Sequence, residues 1–216
     1  FAIRDNKRKR FIIIDGFDPG DKRKIEDCDC ESIPSCAARN TTNNVFDPQK
    51  HRAMKDLMEY YDPNILDNVD LLSKLRTEGY DVIVVNHPSY ETTNLQNGQT
   101  VKIDGGAYYI VSNAMALIKL LQQTKSLLVS NGSTNDIAIV APSMAGQISR
   151  YALSYMEKKF AETNNTVWKH NTYLWISVDS PHLGANIPIG DQALLYLLKE
   201  GGIDAASDFY DKELSS

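Results

Sequence analysis

A chain of 216 residues, 42% hydrophobic and 24% charged, is long enough to bury a sizeable core as a single domain. Its formal net charge of −5 gives no electrostatic reason to expect nucleic acid or an anionic membrane as a partner. No apolar run approaches the roughly 18 residues of a membrane span, so an integral membrane protein is not expected.

The chain opens on Phe1 rather than Met, and its first ten residues lack the apolar stretch of a signal peptide. That fits a processed chain or an excised fragment. The basic run Lys7-Arg8-Lys9-Arg10 reads as a solvated lead-in to a strand. The strand is FIII at 11–14, closed by Asp15-Gly16. Residues 22–64 are polar and turn-rich, and they hold all three cysteines, Cys28, Cys30 and Cys36, spaced C-x-C-x5-C. A zinc site would want a fourth ligand, and His51 is the only histidine near, so no metal is expected. A local disulfide with one thiol left over and three reduced thiols both remain open. The disulfide would place the protein in an oxidising, extracytoplasmic compartment, whether secreted, periplasmic or on the cell surface.

From residue 68 to 77, Val69, Leu71, Leu72 and Leu75 recur at helical spacing, and Gly79 follows as a helix stop. DVIVV at 81–85 is the second strand, ending at Asn86-His87-Pro88. Residues 94–106 read as a hairpin or loop, and 107–129 as an amphipathic helix. The third strand, DIAIV at 136–140, ends at Ala141-Pro142 and is followed by helical spacing over 146–160. The fourth, YLWISV at 173–178, ends at Asp179-Ser180-Pro181. Short β-branched runs alternating with helix-length segments predict an α/β fold, a mostly parallel sheet with helices on both faces. Runs this continuous predict strands covered on both sides. After Gly190, residues 192–199 and 205–214 read as short helices, and no strand follows. We therefore expect a core over 1–186, lacking the last sheet strands, and the start of a helical lid over 187–216.

The segment from Ile137 to Leu153 carries the chemistry. A buried strand meets a tight turn centred on Ser143 and then a helix, which is the setting of a nucleophile elbow. Glycine is usual two residues before and two after such a serine, because those positions crowd each other and the next strand. Here they are Ala141 and Ala145, the smallest replacements. The helix N-terminus points the Met144 N–H to where an oxyanion would form, and the loop Asp15-Gly16-Phe17-Asp18-Pro19-Gly20 offers the Phe17 N–H as a second donor.

The stretch APSMAGQISRYALSYMEK resembles the G-x-S-M-G-G-x-x-x-R-Y-A-L elbow and helix of lipase-like α/β-hydrolases, and SVDSPHLGANIP resembles their T-P-H-x-G segment after the next strand. FIIIDGFDPGD, where lipases carry an H-G oxyanion loop, resembles the version in predicted secreted esterases of Bacteroidetes-type bacteria. The resemblance implies a Ser-His-acid triad, hydrolysis of a small-molecule or lipid ester through an acyl-enzyme on Ser143, and no cofactor.

In that fold the chain order is serine, acid, histidine. Asp179, at the end of the strand expected beside the elbow strand, is the candidate acid, against the alternative of an aspartate capping its own loop through nearby N–H groups. His170 and His182 are the histidines after Ser143. His170 precedes a strand and so falls at the opposite edge of the sheet. His182 lies at the right end and is the candidate base within the chain, although in the resembling lipases this histidine positions a loop. The expectation is that the base comes from a C-terminal segment of the same precursor. Ile187, Ile189, Leu194, Leu195, Leu197 and Leu198 would then line a lid, or else an ordinary core helix. An inert α/β-hydrolase-like binding or surface domain is the competing reading, and an acyltransferase or peptidase would use the same residues.

Overall fold

The structure is a computed structural model that describes residues 9–21, 54, 58–130, 132, 136–184, 188–203, 207 and 210. The three cysteines, His51, Ile187 and most of the helix expected over 205–214 lie outside the described residues. In chain order the strands and helices are β1 (Lys9–Ile14), β2 (Glu59–Asp62), β3 (Asp67–Asp70), α1 (Leu71–Thr77), β4 (Tyr80–Val85), β5 (Ser89–Thr93) and β6 (Thr100–Asp104). There follow α2 (Ile110–Ser130), β7 (Ile137–Pro142), α3 (Met144–Thr163), β8 (Thr172–Val178) and α4 (Ile189–Glu200).

The fold is α/β. Its central sheet has the order β4-β1-β7-β8, every neighbouring pair parallel, with β2-β3 and β5-β6 as separate antiparallel ribbons. Ile12, Ile13 and Ile14 are fully buried because β1 has a strand on each side and helices above and below. On one face Ile12, Ile14, Ile83, Ile137 and Ile139 pack against Leu117 and Leu121 of α2 and Ile148, Ala152 and Met156 of α3. The other face is thinner, with Ile13 against Leu72 of α1 and Met54. Each fully buried isoleucine contributes about 1.5–3 kcal/mol through the water-exposed area it removes.

Three expectations need correcting. Residues 68–70 form strand β3 instead of opening a helix. Asp70 keeps extended dihedrals and caps α1 by accepting from the Leu72 and Ser73 N–H groups at 2.9 and 3.2 Å, so the helix starts after it. Arg10 is not a solvated lead-in. Parallel pairing sets it opposite Asp81, and its fully buried guanidinium lies 3.5 Å from that carboxylate. Finally, β8 is not covered on both faces by the described residues. It is an edge strand, with Leu174, Ile176 and Val178 exposed.

Among the described residues no helix is long and apolar enough to cross a membrane. None of their His, Cys, Asp and Glu side chains form a group of three able to hold a metal ion.

Candidate active site

Ser143 sits between the last residue of β7 and the first of α3, at the C-terminal end of the sheet. Its backbone angles, φ 51° and ψ −127°, lie where a side chain is strained, at a cost of about 1–3 kcal/mol. Two hydrogen bonds hold the turn. The Ser143 N–H donates to the Val178 carbonyl at 2.9 Å, and the Gly146 N–H donates to the Ser143 carbonyl at 3.0 Å. The residue is exposed, so its hydroxyl is offered to solvent rather than packed away. Ala141 and Ala145 are both fully buried on either side of it.

Gly146, three residues after the serine, has no room for a side chain beside Ser177 and Ser180 as they stand. A methyl group there would fall 2.0 Å from Ser180 Oγ and 2.6 Å from Ser177 Oγ. The first turn of α3 therefore presses directly on the end of β8 and the loop beyond it. Further bonds fasten that contact: Gln147 Nε2 donates to the Pro181 carbonyl at 2.6 Å, and Trp175 Nε1 donates to Ser149 Oγ at 2.8 Å. Ser149 Oγ in turn donates to the Ala145 carbonyl at 2.7 Å.

The loop after β1 closes on the serine from the other side. A methyl on Gly16 would lie 3.2 Å from Ser143 Cβ and 3.8 Å from its Oγ, so the glycine lets the two backbones approach. The Gly16 N–H donates to Asp15 Oδ1 at 2.7 Å, and the next amide along the chain is that of Phe17, a half-buried residue. The loop is pinned further on, where the Asp18 N–H donates to the Gly106 carbonyl at 3.0 Å and the Gly20 N–H to Asp104 Oδ2 at 2.8 Å. Met144 opens α3, and its N–H is one of the first four, which have no acceptor within a helix. The dipole of a 20-residue helix adds partial positive charge there.

Asp179 follows Val178, the residue whose carbonyl receives the serine N–H, and so stands beside the elbow. It is exposed, with φ 48° in the left-handed region. No described N–H group caps its carboxylate. His182 turns elsewhere: Nε2 lies 2.8 Å from Ser177 Oγ, the ring packs edge-on to Trp175 at 5.7 Å, and Nδ1 is buried without a partner among the described residues. His170 sits just before β8, at the opposite end of the sheet. It accepts from the Thr172 N–H at 3.0 Å through Nδ1 and lies 3.3 Å from Glu157 through Nε2.

Ser143, Met144, Gly16, Phe17 and Asp179 thus gather at one end of the sheet. Ser177, Ser180 and Gln147 were not singled out from the sequence as parts of the site. Gly146 carried a visible signal, a glycine inside an otherwise helical segment. His87 was also passed over. It is buried just beyond the C-terminal end of β4, and burial without a charge partner lowers its pKa, favouring the neutral ring.

A family model described as "Putative serine esterase (DUF676)" matches residues 105–196, a span running from the turn before α2 through the elbow into α4. No curated protein and no solved structure matches the chain. The match supports a serine-esterase, α/β-hydrolase-like relationship for a little under half of the 216 residues.

Proposed function

We propose that this chain is a carboxylic-ester hydrolase, an esterase or lipase, in which Ser143 attacks the ester carbonyl carbon. The observation that carries the reading is the exposed, strained serine between a buried parallel strand and a helix N-terminus, with Gly16 packed against it. A base removes the Oγ proton as Oγ bonds to the carbonyl carbon. The carbonyl electron pair moves onto oxygen, where the Met144 and Phe17 N–H groups stabilise it. Collapse expels the alcohol, which takes up the proton from the base, and water then hydrolyses the acyl-enzyme by the same route.

Asp179 is the proposed acid. The carbonyl of the residue before it accepts from the Ser143 N–H, and Asp179 itself is exposed, so a histidine ring from another segment can reach it. The proposed base is none of the described histidines: His182 is engaged with Ser177, His170 lies at the far end of the sheet, and His87 precedes Ser143 in the chain, against the order serine, acid, histidine. A C-terminal segment of the same precursor is its proposed source. The exposed Ile189, Leu194 and Leu197 of α4 are proposed as the inner surface of a lid that meets the acyl chain. An extracytoplasmic location is proposed alongside.

A fluorophosphonate probe tests this on the chain and on any longer precursor. Labelling of Ser143 that is lost in Ser143→Ala, with at least a thousandfold loss of ester turnover by the precursor, is the expected result. Absence of labelling in the longest natural form, with the fold intact by circular dichroism, would replace the enzyme with an inert binding domain.

A further inference from the structure

The indole of Trp175 in β8 reaches across to α3, and the bond it makes there begins a chain that ends beside Ser143. Trp175 Nε1 donates to Ser149 Oγ at 2.8 Å. An indole N–H can only donate, so the hydroxyl accepts that bond and keeps its own hydrogen for another partner. It donates to the Ala145 carbonyl at 2.7 Å, with the Gly146 carbonyl farther off at 3.2 Å. The Ala145 carbonyl belongs to the same peptide unit as the Gly146 N–H, which donates to the Ser143 carbonyl at 3.0 Å. The Ser143 carbonyl in turn shares its peptide unit with the Met144 N–H.

Ser149 is fully buried, so water does not compete for its hydroxyl. A serine bonded to the carbonyl four residues back slightly destabilises a helix, so helix formation does not account for it. Every link runs in one sense, donor to acceptor, from the indole to the Met144 amide, and bonds aligned in this way polarise one another by about 10–30% per bond. The peptide group is planar, so a carbonyl held at one end fixes the direction of the N–H at the other. Ser143 has φ 51° and ψ −127°, outside the helical region, so regular helix geometry does not by itself aim the Met144 N–H. The bond to the Ser143 carbonyl does.

We propose that Trp175 and Ser149 are positioning residues that set the direction and donor strength of the Met144 N–H. Both act through the backbone of the first turn of α3. That this amide meets an oxyanion rests on the ester-hydrolase reading; that the chain governs the amide does not.

The test labels the full chain with ¹⁵N-methionine, which marks the backbone amides of its five methionines, and Met144→Leu identifies the resonance of Met144. Trp175→Phe removes the indole N–H and Ser149→Ala the hydroxyl, and each should move the Met144 resonance more than those of the other methionines. Because Ser149→Ala already cuts the chain, adding Trp175→Phe to it should move that resonance no further, whereas separate packing effects would add. Should Trp175→Phe not fold, Ser149→Ala alone decides. In the longest natural form, Ser149→Ala should lower kcat for a soluble ester about tenfold with KM within about twofold, less than the roughly 10²–10³-fold that removing an oxyanion donor costs. A Met144 resonance that stays in place in folded variants, shifts that add in the double variant, or an unchanged kcat in an active enzyme would each overturn the proposal. A Met144 resonance that moves as expected, in a protein whose longest natural form neither turns over ester nor labels, would leave the chain standing and remove the ester-hydrolase reading instead.

Discussion

On one side of β7, the strand that leads into Ser143, lies β1, with Ile12, Ile13 and Ile14 sealed from water; on the other lies β8, whose Leu174, Ile176 and Val178 are 42, 39 and 46% exposed. Both neighbours touch the elbow. β1 delivers Gly16 against the Ser143 side chain, and β8 delivers the Val178 carbonyl to its N–H. The buried neighbour holds position through packing on two faces. The exposed one depends on particular contacts: Trp175 with Ser149, Gln147 with Pro181, and Gly146 against Ser177 and Ser180. A strained turn can therefore be positioned between a rigid core strand and an edge strand, provided the edge is fastened residue by residue.

That contrast can be broken by substitution. The largest expected effect on stability is at Ile139, fully buried in β7, where Ile139→Ala should cost about 2–5 kcal/mol in urea unfolding. A cost below about 1 kcal/mol would mean that the core side is less tightly packed than its burial indicates. Next comes Gly146→Ala, whose methyl meets Ser180 Oγ, with an expected loss of about 1–3 kcal/mol and slower probe labelling of Ser143. Adding Ser180→Gly to that variant should return part of both; no recovery would place the clash elsewhere.

A third prediction sharpens the core side by pH. His87 has a folded pKa below its ordinary 6.5, because burial disfavours the charged ring. Above 6.5 both folded and unfolded rings are neutral and the residue adds no pH dependence. As pH falls below 6.5 the unfolded chain takes up a proton that the folded chain refuses, so stability declines until the folded His87 itself titrates. Urea midpoints from pH 7.5 to 5 should show this fall, and His87→Gln should flatten it. The smallest effect is at the edge, where Ile176→Ala in β8 should shift stability by no more than about 0.5 kcal/mol. A loss comparable with that of Ile139→Ala would show that the edge is covered in solution.

Much of the fold was legible because its signals are local. Four apolar β-branched runs mark β1, β4, β7 and β8 to within two residues at either end, and the long helices follow from apolar spacing. Local spacing failed where a single side chain arbitrates. Val69, Leu71, Leu72 and Leu75 share a helical period, yet Asp70 captures two amides and starts the helix after itself. Ser143 was legible because a strand, a turn and a helix converge on one small-flanked serine. His87 was not, because it precedes Ser143 in the chain and nothing in Asn86-His87-Pro88 says whether its ring meets water or is buried.

The sequence by itself determined the alternating strands and helices, the serine at their sharpest junction and the small residues around it, since each depends on neighbours a few positions away. Only the tertiary structure decided that Arg10 is buried opposite Asp81, that Gly146 rather than Ala145 is the position without room, and that His182 bonds Ser177. Those outcomes depend on which strands lie side by side and at what register, and residues as far apart as Arg10 and Asp81 meet only once the sheet has formed.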